Sequence, residues 1–230
     1  MTFKYPNEPS DYRQSRDKLL EEEIQLRADI ERVAALRRTL PLGGKLKEDY
    51  VFKDRKGQET PFTELFGDHD SLVLYTMMFG SDWDAPCPSC TCIVDSINAN
   101  ARGVEESAAV AVVAAASHEQ MNEWATKRGW YMDVYSGQDS NYVLDYAGFE
   151  TDDRDSVSCM NVFRKTEDGI FHFWSSELVD HPMENGHPRH VDIIWPMWNL
   201  LDMTPQGRGD TLVPRQNFDH KVFSERYLAE

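Results

Sequence analysis

Leu72-Val73-Leu74-Tyr75-Thr76-Met77-Met78-Phe79, a connector from Gly80 to Pro86, and then Cys87-Pro88-Ser89-Cys90-Thr91-Cys92 form the stretch that decides the fold. The first segment is a continuous apolar run of strand length, the pattern of a strand buried on both faces. The segment after the cysteines, Ile93-Val94-Asp95-Ser96-Ile97-Asn98, continues as a helix to about Glu106. A Cys-x-x-Cys pair therefore stands where a strand gives way to a helix, the layout of a thiol–disulfide redox site. The first turn of a helix leaves backbone N–H groups unpaired, and the helix dipole places partial positive charge there. Both favour a thiolate, which is the reactive form of cysteine.

Working outward, Ala108 to Ala116 reads as a second fully buried strand. His118 to Arg128 reads as a helix capped by Ser117 and stopped by Gly129. Asp49-Tyr50-Val51-Phe52 precedes these as a short strand, followed by a Lys56-Gly57 turn and a helix-like stretch from Pro61 to Phe66. Trp130 to Tyr135 reads as a further strand. Ser158 to Lys165 and Ile170 to Trp174 flank Glu167-Asp168-Gly169, a hairpin signal. Val191 to Leu201 reads as a closing helix containing Pro196. This order predicts an α/β fold, a three-layer α/β/α sandwich around a mixed central sheet with parallel core strands and an antiparallel edge.

Residues 10 to 40 read as one amphipathic helix capped at Ser10-Asp11, with Leu19, Leu26, Val33 and Leu40 recurring every seven residues. Such a stripe can serve as a homodimer seam. The reading we favour is a helix lying on its own domain, because Glu22, Glu23, Asp29 and Arg37 occupy companion heptad positions. The expected organisation is an N-terminal helical extension over 1–45, a core domain over 46–210 and a tail over 211–230.

The chain has 230 residues and a formal charge of −16. That charge argues against nucleic acid or an anionic membrane as partner, since both are polyanions. The start, MTFKYPNEPSDYRQ, shows no secretory h-region, and no apolar run approaches a membrane span. The expected setting is cytoplasmic, where structural disulfides are rare, so the four cysteines are read as redox-active or metal-binding.

Several separated motifs carry a resemblance. They are Asp49-Tyr50-Val51-Phe52, Phe62…Leu65-Phe66, the strand ending Met77-Met78-Phe79-Gly80, Cys87-Pro88-Ser89-Cys90, Lys127-Arg128-Gly129-Trp130, Gly169-Ile170-Phe171-His172 and Leu200-Leu201-Asp202-Met203-Thr204-Pro205-Gln206-Gly207-Arg208. Together they resemble a bacterial thioredoxin-like family of unknown function whose members are described as dithiol-disulfide oxidoreductases or isomerases. The resemblance implies a thioredoxin fold, a disulfide substrate of protein or small-molecule type and an external thiol reductant. Thioredoxins place a cis-proline opposite the cysteines; aligning Phe163 and the Gly169 turn puts Ser158 at that position, with Cys159 beside it. The connector also resembles that of peroxiredoxins in length, but Asp84 stands where they carry a threonine. A carboxylate there disfavours a thiolate, which counts against peroxide reduction.

Within this frame Cys87 is the attacking thiol and Cys90 the resolving one. Pro88 suits the first helical turn, where no N–H is needed. Cys92 points to another helix face and reads as a small buried residue. The rival is a protein without turnover, either a redox sensor or a zinc or copper binder using Cys87, Cys90, Cys92 and Cys159. The histidines between Asp180 and His190 lie among prolines and glycine and read as a solvated loop. His172 offers a proton donor or thiolate partner if it faces the cysteines, although a strand histidine satisfied locally is the favoured reading. Trp83 sits in the connector as an apolar contact for substrate. No Ser-His-Asp order, phosphate loop or metalloprotease helix is present, and no cofactor is expected.

Overall fold

The computed structural model describes residues 5–148, 150–180 and 194–207. It divides into two compact units, residues 1–41 and 42–230. The first unit contains helix α1, Ser10–Arg38. Its N-cap is Pro9, one residue ahead of the expected Ser10-Asp11, and no side chain caps it. Proline fits because its fixed φ suits extended backbone just before a helix. The surface of α1 carries ion pairs at helical spacing, Arg13 with Asp17 and Arg32 with Asp29.

The second unit is built on one seven-stranded sheet in the order β2-β1-β5-β4-β3-β6-β7. Its strands are β1 Val51–Lys53, β2 Glu59–Pro61, β3 Ser71–Thr76, β4 Ala109–Ala114, β5 Asp133–Ser136, β6 Cys159–Thr166 and β7 Gly169–Ser175. The strands β3, β4 and β5 run parallel, whereas β6 is antiparallel to β3 and β7 is antiparallel to β6. Residues 43–46 run along β7, with Gly43 N–H donating to the His172 carbonyl and Leu46 N–H to that of Ile170. The architecture is the thioredoxin-like sandwich with an N-terminal helix.

All six residues of β4 are buried, as a strand covered on both faces requires. Val110, Val112 and Ala114 face one core layer with α2 (Pro88–Val104), α3 (His118–Arg128) and Trp198 of α5 (Met197–Asp202). Ala109, Ala111 and Val113 face the other, covered by a 3₁₀ turn, Phe62–Phe66, and by Tyr142 and Val143 of the short helix α4, Tyr142–Asp145. That second layer is filled by rings. Phe62 lies 4.9 Å from Phe163 and 5.6 Å from Tyr142, centroid to centroid.

Local chemistry explains the boundaries. Ser117 and Gln120 form a reciprocal capping box at the start of α3, worth about 1 kcal/mol. Gly129 ends that helix in the left-handed region at φ 67°. Asp54 accepts from the N–H groups of Lys56 and Gln58 and so shapes the β1–β2 turn around Gly57. The strand β3 stops at Thr76, before the apolar run ends; Met77 N–H still donates to the Val113 carbonyl, and Met78 and Phe79 lead into the connector. Helix α5 begins after Pro196, which serves as its N-cap, so the expected helix across Pro196 is corrected there. Residues 191–193 at the start of that expected helix, and the tail over 211–230, lie outside the described residues. No helix among the described residues is long and apolar enough to cross a membrane.

Candidate active site

Cys87 is the N-cap of α2, and Pro88 occupies the first turn. Its backbone N–H donates to the Met78 carbonyl, tying the helix start to the end of the apolar run at 3.0 Å. Its sulfur makes no capping hydrogen bond, so it does not compete with a thiolate role there. Cys87 is half-buried, while Cys90, one turn on, is 1 % exposed. The two thiols are in hydrogen-bond contact, and the Cys87 sulfur followed by burial pushes the Cys90 thiol well above its ordinary value. Cys90 is therefore held as the thiol.

Ser158 lies opposite the cysteines, with its Oγ 3.5 Å from Cys90 Sγ and 2.9 Å from the Tyr75 hydroxyl. Tyr75 is buried on β3, and sequence reasoning had no role for it. The available signal was a phenol inside an otherwise apolar strand, since a buried hydroxyl needs a partner.

The connector packs beside this trio. Trp83 is half-buried against the same core layer, and its carbonyl accepts from Gln120 Nε2 at 3.0 Å. A Cβ on Gly80 would lie 2.5 Å from the Asp155 carboxylate and 2.8 Å from the Trp83 ring, so only glycine permits that approach. Burial, then the charges of Asp82 and Asp153, raise the Asp155 carboxyl above its ordinary value. Asp84 is exposed.

The four sulfurs do not converge, which corrects the four-cysteine metal reading. Cys159 follows Ser158 on β6, and successive strand residues point to opposite faces. Its sulfur sits in the second core layer, 3.2 Å from the Tyr146 carbonyl and 3.3 Å from Asn161 Nδ2. Cys92 is half-buried on α2, where Trp195 Nε1–H donates to its sulfur at 3.3 Å. Among the described residues no group of three or more His, Cys, Asp or Glu side chains is arranged to hold a metal ion. The histidines from His181 to His190 fall outside the described residues.

His172 also lies in the second layer, on the face away from Cys87 and Cys90. It pairs across the ladder with Phe163, and its Nε2 is 3.0 Å from Asn161 Oδ1. Burial pushes its imidazole below the ordinary value of 6.5. With the folded pKa below the unfolded one, the unfolded chain binds the proton more readily. Stability from this group is complete above pH 6.5 and falls as pH drops toward the depressed folded value. The urea midpoint is expected to decline below pH 6.5, and His172→Gln should flatten that decline. An unchanged slope in the variant would show that other groups set it.

No curated protein matches the chain. A variant of peroxiredoxin Q from Xanthomonas campestris is 17 % identical with a TM-score of 0.42, covering 60 % of this chain and 85 % of its own. Peroxidoxin BcpB from Mycobacterium tuberculosis is 15 % identical with a TM-score of 0.43, covering 54 % and 79 % respectively. A peroxiredoxin-like protein from Aquifex aeolicus is 17 % identical with a TM-score of 0.41, covering 59 % and 75 %. The model of a bacterial protein family of unknown function, DUF899, matches residues 2–225, and the chain belongs to that family.

Proposed function

We propose that this chain is a thiol–disulfide oxidoreductase acting through Cys87 and Cys90. One observation carries the reading: a half-buried cysteine at a helix N-cap is in hydrogen-bond contact with a fully buried cysteine one turn on. Cys87 stands where the helix dipole favours negative charge, and its sulfur, together with burial, holds Cys90 as the thiol.

In the first step the Cys87 thiolate attacks one sulfur of a substrate disulfide. The substrate S–S bond breaks, a mixed disulfide forms, and half of the substrate leaves as a thiolate that takes up a proton. In the second step Cys90 loses its proton and attacks the Cys87 sulfur. The mixed disulfide breaks, the second half leaves as a thiol, and a Cys87–Cys90 disulfide remains. Two electrons pass from the protein to the substrate, and an external dithiol returns them.

The test is to trap the intermediate. In Cys90→Ser, a model disulfide should give a stable adduct on Cys87, visible as a mass increase of one substrate half. The parent chain should instead end as the internal disulfide without an adduct. Peroxide consumption with Cys87 oxidised to a sulfenic acid, and no adduct from disulfides, would place the reaction in the peroxidase class. Failure to modify Cys87 with either reagent would overturn the proposal.

A further inference from the structure

The second step of this reaction poses a problem that the first does not. Cys90 is 1 % exposed, yet it must become a thiolate to attack Cys87. Burial opposes that ionisation. Among the described residues the titratable groups that act on Cys90 are Cys87 and Tyr75, and neither is a carboxylate or a histidine. What surrounds the sulfur instead is a pair of hydroxyls.

Tyr75 reaches the site from β3, and Ser158 from the residue just before β6. Their oxygens lie 2.9 Å apart, and Ser158 Oγ lies 3.5 Å from Cys90 Sγ. The Tyr75 hydroxyl is also in hydrogen-bond contact with Cys90. In the dithiol the Cys90 S–H donates to Ser158 Oγ. A hydroxyl both donates and accepts, and its hydrogen rotates to suit the partner. When Cys90 carries a charge, the Ser158 hydrogen can therefore turn toward sulfur while the phenol donates to Ser158 Oγ or to the sulfur itself. Such a chain of donors strengthens along its length in a site that excludes water.

We propose that Tyr75 and Ser158 are positioning residues that hold Cys90 as a thiolate for its attack on the mixed disulfide. The proposal rests on the oxidoreductase reading above and concerns its second step alone. The timing follows from the charges. In the dithiol the Cys87 sulfur is the largest influence keeping the proton on Cys90. Once Cys87 is bonded to substrate it carries no charge, and that influence is gone. Burial still favours the thiol, whereas both hydroxyls favour the anion. The proton released by Cys90 ends on the departing substrate sulfur. The arrangement thus keeps Cys90 quiet until its partner is occupied.

The experiment uses the full chain, reduced and then mixed with dipyridyl disulfide, whose released thione is coloured. Cys87 attack releases the first thione, and Cys90 attack releases the second. Tyr75→Phe and Ser158→Ala should each slow the second release by roughly tenfold or more and raise its pH midpoint by about one unit. The first release should keep its wild-type rate. Ser158→Thr, which retains the hydroxyl, should restore the second release. If Tyr75→Phe fails to fold, the Ser158 pair alone decides. A second release with wild-type rate and midpoint in Ser158→Ala would overturn the proposal. Absence of the first release from the parent chain would instead overturn the parent reading, so the two failures are distinguishable.

Discussion

Disulfide turnover should fall by roughly a thousandfold or more when Cys87 is replaced by serine. The substitution changes little in size, and the helix start is held by backbone contacts that serine preserves, notably the N–H to the Met78 carbonyl. What it removes is ionisation. An alkyl hydroxyl stays protonated at neutral pH, and exchange at sulfur requires the thiolate. Cys90 cannot take over, because at 1 % exposure its sulfur is out of reach of a substrate disulfide. The measurement is reduction of insulin or a model disulfide with a dithiol as electron source, alongside the melting temperature. Loss of turnover with unchanged melting supports Cys87 as the attacking thiol. A variant retaining most of its turnover would remove Cys87 from the reaction.

Phe163→Ala should cost about 3–5 kcal/mol of folding stability, a drop of roughly 10 °C in Tm. Phe163 is fully buried on β6, where it is the hub of the aromatic layer. Its ring centroid lies 4.9 Å from Phe62, 5.1 Å from Tyr146 and 5.4 Å from His172. Truncation leaves a cavity walled by rings anchored to different elements, which limits how far the site can collapse. Because the cavity opens on the face away from α2, Cys87 in the remaining folded fraction should react at its usual rate. Chemical denaturation and the rate of Cys87 alkylation separate the two effects. A loss below about 1 kcal/mol would show that the layer closes over the gap.

The core of the fold was legible because its signals are local. Two apolar runs, Leu72 to Phe79 and Ala108 to Ala116, bracket the cysteines, and α3 carries both its cap and its stop in sequence. Less legible were features decided by the direction of side chains across the sheet. Ser158 and Cys159 are neighbours in sequence, yet only Ser158 faces Cys90, because a strand sends adjacent residues to opposite faces. The same alternation takes His172 to the aromatic layer. Tyr75 was hidden for another reason. Inside an apolar run it reads as core, and only its distance from Ser158 exposes the hydroxyl as part of the site. The helix α4 is four residues long, too short to leave a periodic pattern.

The pairing of β3 with β6 carries a consequence for biosynthesis. Thr76 is in register with Cys159, and this ladder brings Ser158 to Cys90 across 68 positions of chain. A ribosome adding about 5–20 residues per second needs several seconds to cover that interval. For that time the nascent polypeptide carries both reactive sulfurs without the hydroxyl that later meets one of them. The cysteines are thus made early and completed late, and acquisition of exchange activity would report the docking of the last two strands, β6 and β7.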